Sequence, residues 1–235
     1  EMAHAKAHST TDYDPQDLRN MGGLRRQMPK TFILITVASL ALAGFPLTSG
    51  FLSKDAIVIS SFEWAIDKGG LFITIPIILI LVSIATAFYI GRLIFKAFFG
   101  EFRLDKSLLA HLHEAPKTML YPMGFLGICS LFFVFSWNPI SYHGAAILDG
   151  FSVAYIFKEI HSLHIIVPIT LTITALCSWW VGYRWYVLDK YPLNPNSKWI
   201  TAAQHQLGMN DFVNNKIVKG TLTFSNWAYL FDKYI

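Results

Sequence analysis

The chain has 235 residues, of which 54% are hydrophobic, 15% aromatic and only 14% charged. Soluble domains carry about a quarter charged residues, and the apolar residues here come in long blocks. The composition therefore excludes an ordinary soluble domain and predicts an all-α, polytopic membrane protein. The net charge of +4 is uninformative by itself. We expect the lipid bilayer as a partner and no nucleic acid.

The apolar blocks define the predicted segments in chain order. A polar stretch with turn signals comes first, then an apolar stretch that is interrupted in its middle, then three continuous apolar blocks. We expect about four transmembrane crossings, the first by a discontinuous helix. The segments are 1–30 (cytoplasmic loop), 31–66 (discontinuous transmembrane helix), 71–99, 118–137 and 164–187 (transmembrane helices) and 188–235 (a polar to amphipathic cytoplasmic segment).

The positively charged residues predict the orientation of these segments. They cluster before residue 31, at 92–106 and at 184–198, whereas the 67–70 turn and the 138–163 loop hold one lysine each. Lysine-rich and arginine-rich loops remain in the cytoplasm, so residue 30 lies inside and residue 68 outside. The stretch 31–66 then crosses once. Two half-helices of about 15 residues, each about 22 Å long, suffice for one broken crossing.

Lys54 is the first candidate functional residue, because it falls near the middle of this broken crossing. Gly44, Pro46 and Gly50 interrupt the apolar run just before it. A charge at the centre of a bilayer costs a few kcal/mol at least, so such residues are usually functional, and broken helices are where transporters place ion sites. Burial disfavours the charged form of a lysine, which suits it to reversible proton transfer. The alternative is a lysine that snorkels to an interface.

Polar neighbours of Lys54 are candidates for supporting roles. Asp55 either caps the start of a half-helix or pairs with another segment, and Ser53 is a candidate N-cap or water ligand. Thr48 and Ser49 either line the break or satisfy the backbone groups that it frees.

Other polar and aromatic residues have simpler interpretations. Glu63 and Asp67 are expected to face solvent near the outer end, with a role in proton exit as the alternative. His111 and His113 beside Glu114 fit no strong zinc pattern, so a turn or subunit contact is expected. Arg92 and Lys96 are expected to reach lipid phosphates, and Cys129 and Cys177 to be core or lipid-facing. Four aromatics suggest an interfacial belt: Trp179, Trp180, Trp185 and Tyr186.

Three ordered blocks resemble a known family. They are QDLRNMGGLRRQMPKTF with ALAGFPLTSGFLSKD (residues 16–55), TAFY with the later FFGEFR (residues 86–103), and HLHEAP (residues 111–116). Together they resemble the antiporter-like subunit L family of proton-pumping NADH–quinone oxidoreductase (respiratory complex I), called chain 5 in mitochondria. Lys54 followed by Asp55 favours subunit L over the related subunit M, which usually has Glu at the position of the lysine.

The resemblance implies a role for each part. Lys54 is the proton carrier of the second discontinuous helix, on the exit side of a proton path, with Asp55 as a possible partner. The chain is the C-terminal part of the subunit, and residues 205–235 begin a long amphipathic lateral helix. No cofactor or metal is expected on this chain, because NADH, FMN, iron–sulfur clusters and quinone bind partner subunits. The expected partners are other membrane-arm subunits, especially subunit M, in a bacterial inner membrane.

Two alternatives remain at this point. An Mrp-type cation/proton antiporter subunit also carries the lysine, although Glu commonly follows it there. A structural membrane module without its own ion path is the other, and it predicts a Lys54 with no polar path around it. The chain holds no GxGxxG, P-loop or Ser-His-Asp arrangement, so nucleotide binding on this chain is not supported.

Overall fold

A computed structural model of the chain describes residues 2, 6–7, 13–137, 160–188 and 208–234. Throughout these described residues the fold is helical, with an isolated β-bridge between Thr48 and Leu131 and no strand. The first compact unit is Glu1–Lys190. Its helices are α1 (Pro29–Ala43), α2 (Ser49–Lys68), α3 (Thr74–Phe98), α4 (Lys117–Cys129) and α5 (Leu163–Tyr186).

Two helical stretches are long and apolar enough to cross a membrane. They are Gly70–Phe98, which joins a 3₁₀ turn to α3, and Leu163–Tyr186, which is α5; α1 is apolar but shorter. They coincide within a residue or so with the segments predicted over 71–99 and 164–187. The prediction of a helical membrane fold is therefore confirmed at this level, and the number of crossings stays a prediction.

The interruption of the first apolar stretch is present as a break between α1 and α2. Helix α1 ends at Ala43 and α2 begins at Ser49, so the break is close to the position that Gly44 and Pro46 predict. The two half-helices are 15 and 20 residues long. At 1.5 Å per residue they measure about 22 and 30 Å.

The packing of α1 and α2 along α3 reveals their relative direction. Near the start of α1, Phe32 packs on Phe98, with ring centroids 5.2 Å apart. At its end, Ala43 shares a buried cluster with Ala87. Further on, Ile59 of α2 is in a cluster with Leu79 and Ile80. Residue numbers rise along α1 and α2 while they fall along α3, so both half-helices run antiparallel to α3 in one pass, with the break beside its middle.

Helix α5 packs against α3 in the parallel sense. Val167 and Leu171 lie in the cluster with Leu79, and further along Tyr183 packs on Phe95 with ring centroids 5.8 Å apart. Because α5 also contacts the cluster at Ala43 and Ala87, it covers the break from a second side. The buried side chains of the first unit therefore come together along α3.

Helix α4 differs from the prediction of a continuous span over 118–137. It ends at Cys129, after 13 residues. The chain then leaves the helical conformation, pairs its backbone with the break between α1 and α2, and makes a 3₁₀ turn at Phe132–Val134. The hydrogen bonds offered by the break are the physical reason for the early end, because both segments have backbone groups to satisfy.

The second compact unit is Tyr191–Ile235. Within its described residues it consists of helix α6 (Met209–Phe212), a π-helical turn (Val213–Val218) and helix α7 (Lys219–Tyr234). Phe224 and Trp227 of α7 are exposed. The amphipathic helix expected from residue 205 is thus matched by helical structure from Met209 onward, whereas 189–207 lie outside the described residues, as does most of the predicted 138–163 loop.

Candidate functional site at the broken helix

The break is built from residues with special backbone demands. Gly44 ends α1 with φ at 78°, and its N–H donates to the carbonyls of Leu40 and Ala41. Leu47 also has a positive φ, 68°, which is uncommon for a residue with a side chain. Strained backbone of this kind persists only where the surroundings hold it, and it clusters at functional sites.

Thr48 is the N-cap of α2. Its Oγ1 accepts a hydrogen bond from the N–H of Phe51 at 3.3 Å and donates to the carbonyl of Phe45 at 2.6 Å. Of the two interpretations of Ser53, N-cap or water ligand, the N-cap is wrong, because Ser53 lies a turn further on and donates to the carbonyl of Gly50. Asp55 also lies too far along to cap the helix start.

The ends of the two half-helices are in close contact at Gly50. A Cβ at this position would lie 1.8 Å from the carbonyl oxygen of Ala41. Only glycine lets α2 begin so near the last turn of α1. This close approach lets a side chain of α2 reach back to the C-terminal carbonyls of α1.

Lys54 is the side chain that does so. It is half-buried, and its Nζ donates to the carbonyls of Leu42 and Ala43 at 3.3 and 3.4 Å. These carbonyls end α1 and carry the negative pole of its dipole, which favours a cation. Burial has the opposite effect. The two effects on the charged form of Lys54 therefore oppose each other.

A groove beside Lys54 carries further polar groups. It has a volume of about 550 Å³ and is lined by α1, α2 and α3. Four hydroxyl side chains face it, from Ser49, Ser53, Ser83 and Thr86. Those of Ser83 and Thr86 donate to carbonyls one turn earlier in α3, which leaves their oxygens available as acceptors. The groove therefore brings hydroxyl groups to the same cavity as Lys54, whose own hydrogen bonds go to the carbonyls of Leu42 and Ala43.

The backbone groups freed by the break pair with the end of α4. The N–H of Ser49 donates to the carbonyl of Ser130 at 2.9 Å, and the Ser49 hydroxyl donates to the same carbonyl. The N–H of Phe132 donates to the carbonyl of Leu47 at 3.3 Å. Both interpretations of Thr48 and Ser49 therefore hold in part. The two residues make hydrogen bonds to backbone groups that the break frees, and Ser49 also lines the groove.

Asp55 points away from this groove. Successive helix residues project about 100° apart, and Asp55 is 4% exposed and absent from the groove lining. Its Oδ1 is buried and has no hydrogen bond to any residue that the structure describes. His164 in the first turn of α5 interacts with it electrostatically. Asp55 therefore does not cap α2, and its pairing with another segment stays a prediction.

The burial of Glu63 contradicts the prediction that this side chain faces solvent. It is 4% exposed, because Ile160 and the first turn of α5 pack on its face of α2. Its Oε1 accepts a hydrogen bond from the N–H of Ile160 at 3.0 Å and lies 3.4 Å from Nε2 of His164. Asp67, by contrast, is exposed. His164 was missed at the sequence level, since a single histidine at the edge of an apolar block carries no motif.

Glu114, from the HLHEAP block, contacts the start of α1. Glu114 accepts hydrogen bonds from the N–H groups of Lys30 and Thr31 in the first turn of α1, at 2.7 and 3.1 Å. The HLHEAP block, which lies in a different segment, therefore contributes the N-terminal cap of α1.

Trp179 departs from the predicted interfacial belt, because its ring packs edge-on against Phe45 in the break, with centroids 5.1 Å apart.

Comparison with known proteins now gives this arrangement a context. Residues 2–79 match the family described as "NADH:quinone oxidoreductase/Mrp antiporter, TM". NADH-quinone oxidoreductase subunit L of Rhodobacter capsulatus is 37% identical over 163 residues, which are 65% of this chain and 21% of that protein. NADH-ubiquinone oxidoreductase chain 5 of Phytophthora infestans is 40% identical over 119 residues, 51% of this chain and 18% of that protein.

One relative is named for F(420)H(2) instead of NADH. The F(420)H(2) dehydrogenase subunit L of Methanosarcina mazei is 38% identical over 125 residues, 50% of this chain and 18% of that protein. The chain thus spans about a fifth of the length of the curated relatives it matches. The resemblance found in the sequence is confirmed: residues 2–79 match the NADH:quinone oxidoreductase/Mrp antiporter transmembrane family, and the chain is similar to subunit L and chain 5 proteins over 51–65% of its length.

Proposed function

We propose that this chain is part of a proton-translocating, antiporter-like subunit in the membrane arm of an NADH–quinone oxidoreductase. The observation that carries the proposal is the position of Lys54, whose Nζ contacts the last carbonyls of α1 at the break. The names of the relatives agree with it. The protein is expected in a bacterial inner membrane as a multi-pass component, with subunit M as its neighbour in the arm.

Lys54 has the central role in the proposed mechanism. As an ammonium it is stabilised by the C-terminal carbonyls of α1, and as a neutral amine it avoids the cost of a buried charge. It takes a proton from a polar path on the inner side and releases it outward when a change of charge nearby shifts this balance. A shift of one pK unit corresponds to about 1.4 kcal/mol, so modest electrostatic coupling suffices.

Electron transfer takes place on other subunits in this proposal. NADH, FMN, iron–sulfur clusters and quinone would be bound there, and this chain supplies the proton path. The relative named for F(420)H(2) supports such a division, because the same kind of membrane subunit is found with a different electron donor.

Replacement of Lys54 tests the proposal. In inside-out vesicles holding the assembled complex, Lys54→Ala is expected to lose most NADH-driven proton uptake per complex. The matched control is Lys68→Ala, since Lys68 is an exposed lysine at the other end of α2. It should leave uptake unchanged. Normal assembly with unchanged uptake in Lys54→Ala would contradict the proposal.

An Mrp-type cation/proton antiporter subunit is the second candidate, because the matching family includes both kinds of protein. The dependence of proton movement on sodium distinguishes the two candidate functions. Sodium-dependent proton exchange without NADH, abolished by Lys54→Ala, would favour the antiporter. Proton uptake that needs NADH and is indifferent to replacement of sodium by potassium would favour the oxidoreductase.

A further inference from the structure

A second group of ionisable side chains is buried between α2 and α5. Asp55 and Glu63 are each 4% exposed, and the side chain of His164 is 17% exposed. Nε2 of His164 lies 3.4 Å from Oε1 of Glu63, and His164 also interacts electrostatically with Asp55. The imidazole is therefore in contact with Glu63 and within electrostatic range of Asp55.

These three groups are arranged along the axis of α2. Asp55 directly follows Lys54 at the level of the break. Glu63 is eight residues later, which is about 12 Å nearer the end at Lys68. His164 interacts with both, and the N–H of Ile160 donates to Glu63 just before α5 begins. The positive-inside rule predicts that this end of α2 and α5 faces the outside.

A purely structural role explains these groups poorly. Apolar side chains of similar size usually pack as well as buried charges, without the cost of removing them from water. The buried Oδ1 of Asp55 has no hydrogen bond to any described residue, although such atoms are rarely left without a partner. A permanent ion pair would be expected to satisfy it. A group that exchanges protons, directly or through water, needs no fixed donor.

We propose that Asp55, His164 and Glu63 form a buried proton relay from the helix break toward the outer end of α2 and α5. The relay rests on the proposed function of Lys54, which delivers the proton. The carboxylate of Asp55 accepts that proton and becomes a neutral acid. It passes the proton to the neutral imidazole of His164, giving imidazolium and restoring the carboxylate.

The imidazolium then protonates the carboxylate of Glu63, and Glu63 releases the proton to water at the outer end. Each group regains its starting charge, the imidazole resets its tautomer before the next cycle, and one proton has moved outward. The relay takes a proton from the level of Lys54 to a residue two turns nearer the outer end of α2.

The decisive variant is His164→Gln in the assembled complex in inside-out vesicles. Glutamine retains a donor for Glu63 but cannot take up a proton. NADH-driven proton uptake per assembled complex should be largely lost. The matched control is His161→Gln, because His161 is exposed in the turn just before α5. It should retain full uptake.

Glu63 provides a second test that does not depend on how well His164→Gln assembles. Glu63→Gln keeps a carbonyl acceptor for the N–H of Ile160 but cannot ionise, so uptake should be lost. Glu63→Asp keeps the carboxyl group and should restore part of it. A structural role predicts instead that Glu63→Gln lowers the amount of complex while uptake per complex stays normal.

Lys54→Ala measured alongside separates the two proposals. Loss of uptake in Lys54→Ala with full uptake in His164→Gln and Glu63→Gln would overturn the relay and leave the proposed function standing. Full uptake in Lys54→Ala would overturn the proposed function, and the relay with it. Loss in all three variants, with the control at His161 intact, is the result expected.

Discussion

The close contact between α1 and α2 depends on the absence of a side chain at Gly50. The carbonyl of Ala41 occupies the place that a Cβ would take, at 1.8 Å, and backbone on both sides leaves no flexible group to move. We predict that Gly50→Ala forces α2 away from α1 and destabilises the protein by about 1–3 kcal/mol, as overpacking generally does. The thermal unfolding midpoint of the purified complex measures it.

The control for Gly50 is Gly124→Ala. Gly124 lies inside α4, and a Cβ there meets nothing within 4 Å. Alanine favours helix over glycine by about 0.5–1 kcal/mol, so this variant should be neutral or slightly stabilising. Equal losses at both positions would mean that the contact between α1 and α2 is not what makes Gly50 necessary.

Lys54→Arg separates charge from proton transfer at the same residue. Arginine keeps a cation and can still donate to the carbonyls of Leu42 and Ala43, but it does not release its proton in proteins. We predict a complex that assembles in normal amount and loses most NADH-driven proton uptake, as with Lys54→Ala. Measured uptake close to that of the wild type would show that a fixed positive charge is enough and that Lys54 does not cycle.

At the scale of the elements, Glu114 stabilises the start of α1 from another segment. Met28, the N-cap of α1, supplies no side-chain hydrogen bond, and Glu114 accepts from the free N–H groups instead. Burial opposes ionisation, but hydrogen bonds from the Thr31 hydroxyl and from these N–H groups outweigh it and lower the pKa of Glu114 from its ordinary 4.5. The stabilisation is therefore present above that value and is lost as the pH falls through the lowered pKa.

We predict that Glu114→Gln costs about 1 kcal/mol at neutral pH, a typical loss for a helix cap. The difference from the wild type should shrink in acid, because the wild-type carboxylate is then protonated as well. Unfolding midpoints of the two proteins, measured from neutral pH to about pH 3, below the ordinary carboxyl pKa, test this. Glu101→Gln, at an exposed glutamate, is the control. A difference that does not depend on pH would refute the role of the charge.

The break between α1 and α2 could be predicted from the sequence, whereas the end of α4 could not. Gly44, Pro46 and Gly50 place the break, because they fall within seven residues of one another, whereas an isolated proline such as Pro122 or Pro168 is accommodated inside a helix. The early end of α4 was not predictable. It depends on hydrogen bonds between Ser49 and Ser130, which are 81 positions apart and leave no periodic pattern.

The burial of Glu63 was missed for a related reason. Glu63 is near the end of an apolar stretch, and the ordinary expectation for such a residue is a solvated head group. Its burial depends on α5, which begins 100 residues later along the chain. Local sequence predicted which residue types lie near the break, and only tertiary packing decides which of them are shielded from water.

For the whole molecule, the direction of α1 and α2 along α3 has consequences for topology. In the first unit both half-helices run antiparallel to α3, and the N–H of Gly23 donates to the carbonyl of Phe99. The residues before α1 and after α3 are therefore neighbours, whereas Lys68 lies at the opposite end of α3. If this unit spans the membrane, residues 26 and 101 share one face and residue 68 is on the other.

Single cysteines at these positions test this topology in a background with Cys129 and Cys177 replaced by alanine. With a membrane-impermeant maleimide, Arg26→Cys and Glu101→Cys should be labelled from the same side, and Lys68→Cys from the opposite side. All three native residues are exposed, so failure to react would reflect sidedness rather than burial. A hairpin in place of the broken crossing would put Arg26→Cys and Lys68→Cys on one side. Lys54 would then lie near an interface, and the reason for assigning it a proton path would be lost.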